Sequence, residues 1–175
     1  MRGAGIVVLA SLLAGCAALQ PVGDNAAITE LRNGTGQAVG TARLTQAGNV
    51  VRILVEARGL PPGLHAVHVH AVGKCDPPDF TSAGPHFNPT GKQHGALNPQ
   101  GSHAGDLPNI NIGPDGNGRL ETANEQITLA AGANSVLDTD GSALVVHAAP
   151  DDFKTDPTGN SGARIACGVL VKAPK

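Results

Sequence analysis

The sequence predicts an all-β domain built from short antiparallel strands packed as a sandwich or barrel. Three observations carry that expectation. Apolar residues alternate with period two in several separate segments, and beyond the first fifteen residues no stretch holds a helical period. Turn formers punctuate those segments, with 24 Gly and 13 Pro among 175 residues. Two long stretches, 73–114 and 148–163, lack any period, and the first of them holds most of the metal-ligand types, with three His, three Asp and Cys75. A structureless loop of that length suits a compact domain only where it is functional or tied down.

Taken in order, Ala26 to Arg32 is a modest strand ended by Asn33-Gly34, and Ala38 to Leu44 is a second. The third begins at Asn49. Val51, Ile53, Val55 and Ala57 form one face, and Arg52, Leu54, Glu56 and Arg58 form the mostly polar other. Pro61-Pro62 marks a turn before a strand from Leu64 to Ala71. After the first long loop, strands are expected at Gly118 to Thr122 and Glu125 to Leu129. Ala143 to His147 follows the turn Asp140-Gly141, and Ile165 to Lys172 ends the set.

A length of 175 residues with 41% apolar content fits one domain with one core. The formal charge of −2 and the lack of any Lys/Arg run exclude an electrostatic footprint for nucleic acid. The N-terminus reads as a targeting segment. Arg2 precedes an apolar run, Ile6 to Leu13, that is too short to span a bilayer as a helix. Leu13-Ala14-Gly15-Cys16 resembles the lipobox of bacterial lipoproteins. That likeness implies a signal peptide over 1–15, a lipidated Cys16 with a tether over 16–25, and a folded domain over 26–175. Several acyl chains on Cys16 would anchor the protein to a membrane on the periplasmic side of the envelope, since one chain alone binds marginally. Ala17, rather than Asp, after the Cys favours the outer membrane. If Cys16 carries lipid, Cys75 and Cys167 remain as a pair in an oxidising compartment. Closing that loop is worth about 4–5 kcal/mol in the chain-entropy model. The alternative is two buried free thiols.

Six of the seven histidines lie between Leu64 and Asp106. Strand alternation puts His68 and His70 on one face and Val67, Val69 and His65 on the other. The valines belong to the core, so His68 and His70 face outward, and His65 is expected to be a hydrogen-bonded structural residue. By the same alternation Leu144 and Val146 face inward and His147 joins the outer face. Three such imidazoles suit copper or zinc. His86, His94, His103 and Asp106, with seven, eight and two residues between them, offer three imidazoles and a carboxylate, a complete tetrahedral set for zinc. Two ions are therefore expected, one in a closed site and one in an imidazole-rich site with an open face.

The run Gly63 to His70 (GLHAVHVH) resembles the copper-binding signature of the copper/zinc superoxide dismutases. Thr81 to Pro89 (TSAGPHFNP) is similar to that family's bridging-histidine segment. Gly105 to Asn109 (GDLPN) is similar to its zinc-loop end, Leu144 to His147 (LVVH) to its last copper ligand, and Gly159 to Val169 (GNSGARIACGV) to its C-terminal signature. Gly73 to Phe80 (GKCDPPDF) is similar to bacterial periplasmic members. The likeness covers about Ile28 to Lys172. It implies an eight-stranded antiparallel Greek-key barrel or sandwich with two long functional loops. It implies one copper ion on His68, His70, His86 and His147, and one zinc ion on His86, His94, His103 and Asp106, with His86 bridging as imidazolate. Asp151 would link His68 to His94, Arg164 would guide and hydrogen-bond the anion, and Thr158 would narrow the channel.

The implied reaction is dismutation of superoxide to oxygen and hydrogen peroxide, with His86 exchanging one proton. The family is itself an established example of electrostatic steering of a substrate. A metal-buffering lipoprotein would use the same histidines but needs neither a bridging ligand nor Arg164. A structural sandwich adhesin predicts eroded ligands, and no ligand is eroded. The resemblance admits a homodimer without requiring one.

Overall fold

The structure, a computed structural model, describes residues 25–174; the leader and Cys16 lie outside the described residues. Ten strands follow one another: β1 (Ala26–Asn33), β2 (Ala38–Ala47), β3 (Val50–Ala57), β4 (Gly63–His65), β5 (Val67–His70), β6 (Ile110–Ile112), β7 (Gly118–Asn124), β8 (Ala143–His147), β9 (Arg164–Val169) and β10 (Val171–Lys172). All pairings between them are antiparallel. The sheet runs β4-β6-β7-β3-β2-β1-β9-β8-β5, with β10 on β1. Its two end strands, β4 and β5, are consecutive in the chain and are parted only by Ala66. The sheet therefore curls into a nearly closed barrel, which leaves few free edges. Counting β4–β5 and β9–β10 as interrupted single strands leaves eight, the expected number.

The period-two reading of β3 holds. Val51, Ile53 and Val55 are fully buried, while Arg52 and Glu56 are exposed. Val67 and Val69 of β5 and Leu144 and Val146 of β8 enter the same core, beside Leu31, Leu44 and Ile110. Two strand expectations are corrected. The segment from Leu64 to Ala71 breaks at Ala66, whose N–H donates to the Ala149 carbonyl and whose carbonyl accepts from the His147 N–H. The segment from Glu125 to Leu129 is not a strand. The Asn124 carboxamide oxygen accepts the Gln126 and Ile127 N–H groups at 2.7 and 3.3 Å, which turns the chain as soon as β7 ends. Strand β6 was not foreseen, because its three residues lie inside the aperiodic stretch.

Outward placement of His68 and His70 needs a further correction. Both point away from the barrel core, yet they are 0% and 1% exposed. The β5–β6 loop and the β8–β9 loop fold back over this face. A second small core of Phe80, Ala83, Ala143, Val145 and Cys167 lies under the cover, with Cys75 packed against it. The Cys75–Cys167 disulfide, with Cα atoms 5.7 Å apart across 92 residues, ties the first loop to β9. The expected pairing is present.

Candidate metal centre

Register places the first half of the site. In the β5–β8 ladder His68 lies opposite Val145 and His70 opposite Ala143. His147 ends β8 at a bulge against β9. Short bridges, His70 to His86 and His68 to Asp106, lay the loop segments alongside β5. Gly105 makes this approach feasible, since a Cβ there would collide with the Val69 carbonyl oxygen.

The imidazoles of His68, His70, His94 and His147 are each held at one nitrogen, which turns the other toward the cluster. His70 Nδ1 donates to the Gly84 carbonyl at 2.8 Å, leaving Nε2 3.3 Å from His147 Nε2. His147 Nδ1 lies 3.3 Å from the Gly162 carbonyl and 3.1 Å from Ser161 Oγ. His68 Nε2 donates to Asp151 Oδ2 at 2.8 Å, and His94 Nε2 to Asp151 Oδ1 at 2.9 Å. The expected carboxylate link from His68 to His94 is therefore in place. Asp151 is itself held, its N–H donating to Asn109 Oδ1 and its carbonyl accepting from Asn109 Nδ2. Gly159 packs against it so closely that a Cβ would meet both the Asp151 carboxylate and His94 Nε2.

The free nitrogens converge at two points. His68, His70, His86 and His147 can place one nitrogen each within 4.8 Å of one another. Around Asp106 Oδ1 stand three Nδ1 atoms, those of His86 and His94 at 3.0 Å and that of His103 at 3.3 Å. Asp106 Oδ2 accepts the Gly95 and His103 N–H groups, which fixes the carboxylate. A grouping of His68, His86, His94 and Asp106 within the same span also exists. His68 has one nitrogen left after Asp151 and already belongs to the first set, while His103 Nδ1 stands beside the second, 3.3 Å from Asp106 Oδ1 and 3.4 Å from His86 Nδ1.

A test of fit comes from buried polar atoms. Among the described residues four such side-chain atoms lack a hydrogen-bond partner, and three are His68 Nδ1, His86 Nε2 and His94 Nδ1, the last with only the charge contact to Asp106 Oδ1 at 3.0 Å. An unsatisfied buried polar group costs about 1–3 kcal/mol. Three together in one cluster point to cations as their partners. Four imidazoles suit copper, and three imidazoles with a carboxylate suit zinc.

The electrostatics agree. Burial, with help from neighbouring imidazoles and Arg164, lowers His70 to about 2 and His147 to about 3. Burial lowers His86 to about 4, against the opposing hydrogen bond to Asp106. These rings are neutral at pH 7, with lone pairs available for a metal. Burial alone would lower His94, but the Asp106 and Asp151 carboxylates beside its two nitrogens outweigh that and raise it to about 9. Burial likewise disfavours the Asp106 and Asp151 carboxylates, and hydrogen bonds from the histidines overcome it, so both lie well below the usual carboxylate range.

Arg164 is half-buried. Its Nη1 donates to the Phe80 carbonyl at 2.6 Å and its Nη2 to the Gly84 carbonyl at 2.7 Å. With His70, His86, His147 and the exposed Thr158 it lines a cavity of about 420 Å³. His65 stands apart as expected, its ring nitrogens 2.7 Å from the His147 carbonyl and 2.9 Å from the Pro61 carbonyl. Sequence reasoning gave no role to Asn109 or Ser161. Both lie inside quoted motifs, and neither is a ligand type, so only their contacts reveal them.

The family described as copper/zinc superoxide dismutase (SODC) matches residues 38–170. The chain is 51% identical over 143 residues to the copper-zinc superoxide dismutase 1 of Aquifex aeolicus, covering 81% of this chain and 85% of that one. It is 45% identical over 143 residues to the copper-zinc superoxide dismutase of Caulobacter vibrioides, covering 80% and 82%. A crystal structure of a SOD-like protein from Bacillus subtilis superposes with a TM-score of 0.79 at 41% identity, covering 82% of this chain and 97% of that one.

Proposed function

The chain belongs to the copper/zinc superoxide dismutase family, and from that premise we propose how its own residues carry the reaction. It is a superoxide dismutase that converts two superoxide anions to oxygen and hydrogen peroxide, with one copper and one zinc ion as cofactors. We assign copper to His68, His70, His86 and His147, and zinc to His86, His94, His103 and Asp106. The observation that carries this is His86, whose Nδ1 faces Asp106 while its Nε2 is buried without a protein partner on the side of His68, His70 and His147.

Bound copper supplies the one-electron couple, for which zinc has no accessible chemistry. His86 exchanges a proton at Nε2 while its Nδ1 stays fixed at the zinc side, and solvent supplies the second proton. Asp151 holds the rings of His68 and His94 in one tautomer, so each presents Nδ1 as a lone pair. The guanidinium of Arg164, anchored by two carbonyls, retains donors for a small anion entering past Thr158. A local positive charge is needed because the chain is net acidic. A protein that only stored metal would have no use for this anion-attracting cavity.

The test is metal content and superoxide-dependent turnover on the same oxidised sample. One copper, one zinc and fast turnover per chain are expected, whereas copper bound without turnover would favour buffering.

We place the protein on the periplasmic side of the envelope, tethered to the outer membrane through acyl chains on Cys16. The lipobox-like Leu13 to Cys16 and a disulfide that calls for an oxidising compartment support this. No helix among the described residues is long and apolar enough to cross a membrane. Cys16→Ser should move the protein from the membrane to the soluble fraction, and an unchanged distribution would remove the lipid anchor.

A further inference from the structure

We infer that the zinc half-site has its own access route, an acidic cleft that adjoins the Arg164 cavity at Pro85, His86 and Pro157 but differs from it in charge, and that Asp138, Asp140 and Asp156 draw the zinc ion in through it to His103. This rests on the assignment of His86, His94, His103 and Asp106 as the zinc set.

The cleft has a volume of about 610 Å³. The buried His86 and His103 line it, together with Asp138, Asp140, Asp156 and Lys92. The carboxylates come from two different loops, β7–β8 for Asp138 and Asp140 and β8–β9 for Asp156. Asp138 and Asp140 are exposed, and neither has an ion-pair partner among the described residues. Asp156 is the innermost, with Oδ1 accepting the His94 N–H at 2.6 Å and lying 3.8 Å from His103 Nε2.

The zinc set shows why a cation would arrive this way. The His94 side chain is sealed at 0% exposure, with its ring 5.4 Å from that of His103 and its Nδ1 3.0 Å from Asp106 Oδ1. The His103 side chain is 7% exposed and reaches the cleft. Asp106 also borders a smaller dimple, but Ala96, Leu97, Leu107, Pro108 and Phe153 make that one apolar and unsuited to a hydrated dication. His86 thus lines two adjoining openings of opposite character. The opening on its copper side presents a guanidinium to an anion, and the one on its zinc side presents three carboxylates against one ammonium to a cation. A cleft lined by one sign of charge concentrates the oppositely charged ion and speeds its arrival, an effect that salt screens.

The experiment measures zinc uptake by the oxidised, metal-free protein in stopped flow, with a chromophoric zinc chelator as reporter and the ionic strength varied. The variants are Asp138→Asn with Asp140→Asn, and separately Asp156→Asn, which keeps an oxygen to accept the His94 N–H. Glu56→Gln with Glu121→Gln, on the far β3–β7 face, controls for net charge. At low salt the Asp138/Asp140 pair should slow uptake by about threefold to tenfold, and the slope against ionic strength should flatten. Asp156→Asn should slow uptake likewise. All variants should reach one zinc per chain. Uptake at the wild-type rate in the cleft variants, or equal slowing in the Glu56/Glu121 control, would overturn the route. A wild-type chain that takes up no zinc would overturn the zinc assignment itself.

Discussion

At the scale of single residues, the site is built from side chains whose two ends have different tasks. Asp151 shows this best, because each carboxylate oxygen holds one imidazole, His68 or His94, and neither touches solvent. Asp151→Ala would leave both Nε2–H groups buried and unpaired and both rings free to turn. The expected loss is about tenfold to a hundredfold in affinity for each metal, measured by chelator competition. His147→Ala removes one copper donor from the end of β8 and should abolish copper loading and dismutation while the far-ultraviolet circular dichroism is unchanged. Retained turnover in a metal-loaded variant would count against the copper assignment. Arg164→Ala leaves every ligand in place. Turnover should fall about tenfold and lose most of its ionic-strength dependence with both metals bound, and an unchanged rate would end the steering role.

At the scale of elements, legibility followed periodicity. β3 could be read because its inward and outward residues differ in chemistry along its whole length. β5 and β8 could be read on one face only, since Val67, Val69, Leu144 and Val146 mark the core. Their other face is also buried, under loops that carry no periodic signal, so alternation alone did not show that cover, while a cavity still opens onto His70, His86 and His147. Asn124 ended β7 through a side-chain contact that no pattern shows. The proposed ligands were legible all the same, because imidazole and carboxylate spacing is chemical and survives in an aperiodic loop. Asn109, Ser161 and Asp156 were not, because they act on the backbone or on another ligand. The disulfide belongs to this scale, pinning the cover to β9. Cys75→Ser with Cys167→Ser should cost about 4–5 kcal/mol by loop entropy, seen as a lower urea midpoint. It should also speed copper loss, because Gly84, whose carbonyl holds both His70 and Arg164, lies in the loop that the bond restrains.

At the scale of the whole molecule, the metal cluster sets how stability responds to acid. In the metal-free chain His70, His147 and His86 titrate at about 2, 3 and 4, against 6.5 when unfolded. Between about pH 4 and 6.5 the unfolded state therefore binds more protons at these three residues. Their contribution is fully present above 6.5 and is lost as pH falls through that value. His94 works in the opposite sense. Raised to about 9, it stabilises the fold below 6.5, and that contribution is lost as pH rises through 9. Asp106 and Asp151, held below the ordinary carboxylate value, lose their contribution only in stronger acid. Below pH 6.5 His94 is protonated in both states and adds no slope, so the three lowered imidazoles set the trend and the metal-free protein should lose stability steadily from about pH 6.5 to pH 4. Bound ions change the balance, because they bind the folded chain and occupy the same lone pairs. The loaded protein should hold its urea midpoint over the same interval until protons displace the metals, and then drop to the metal-free curve. Urea midpoints of both forms across that range decide the matter. A flat metal-free profile would mean that these rings titrate as freely in the folded protein as in the unfolded chain, and that the cluster is not held as a set of neutral, desolvated donors awaiting metal.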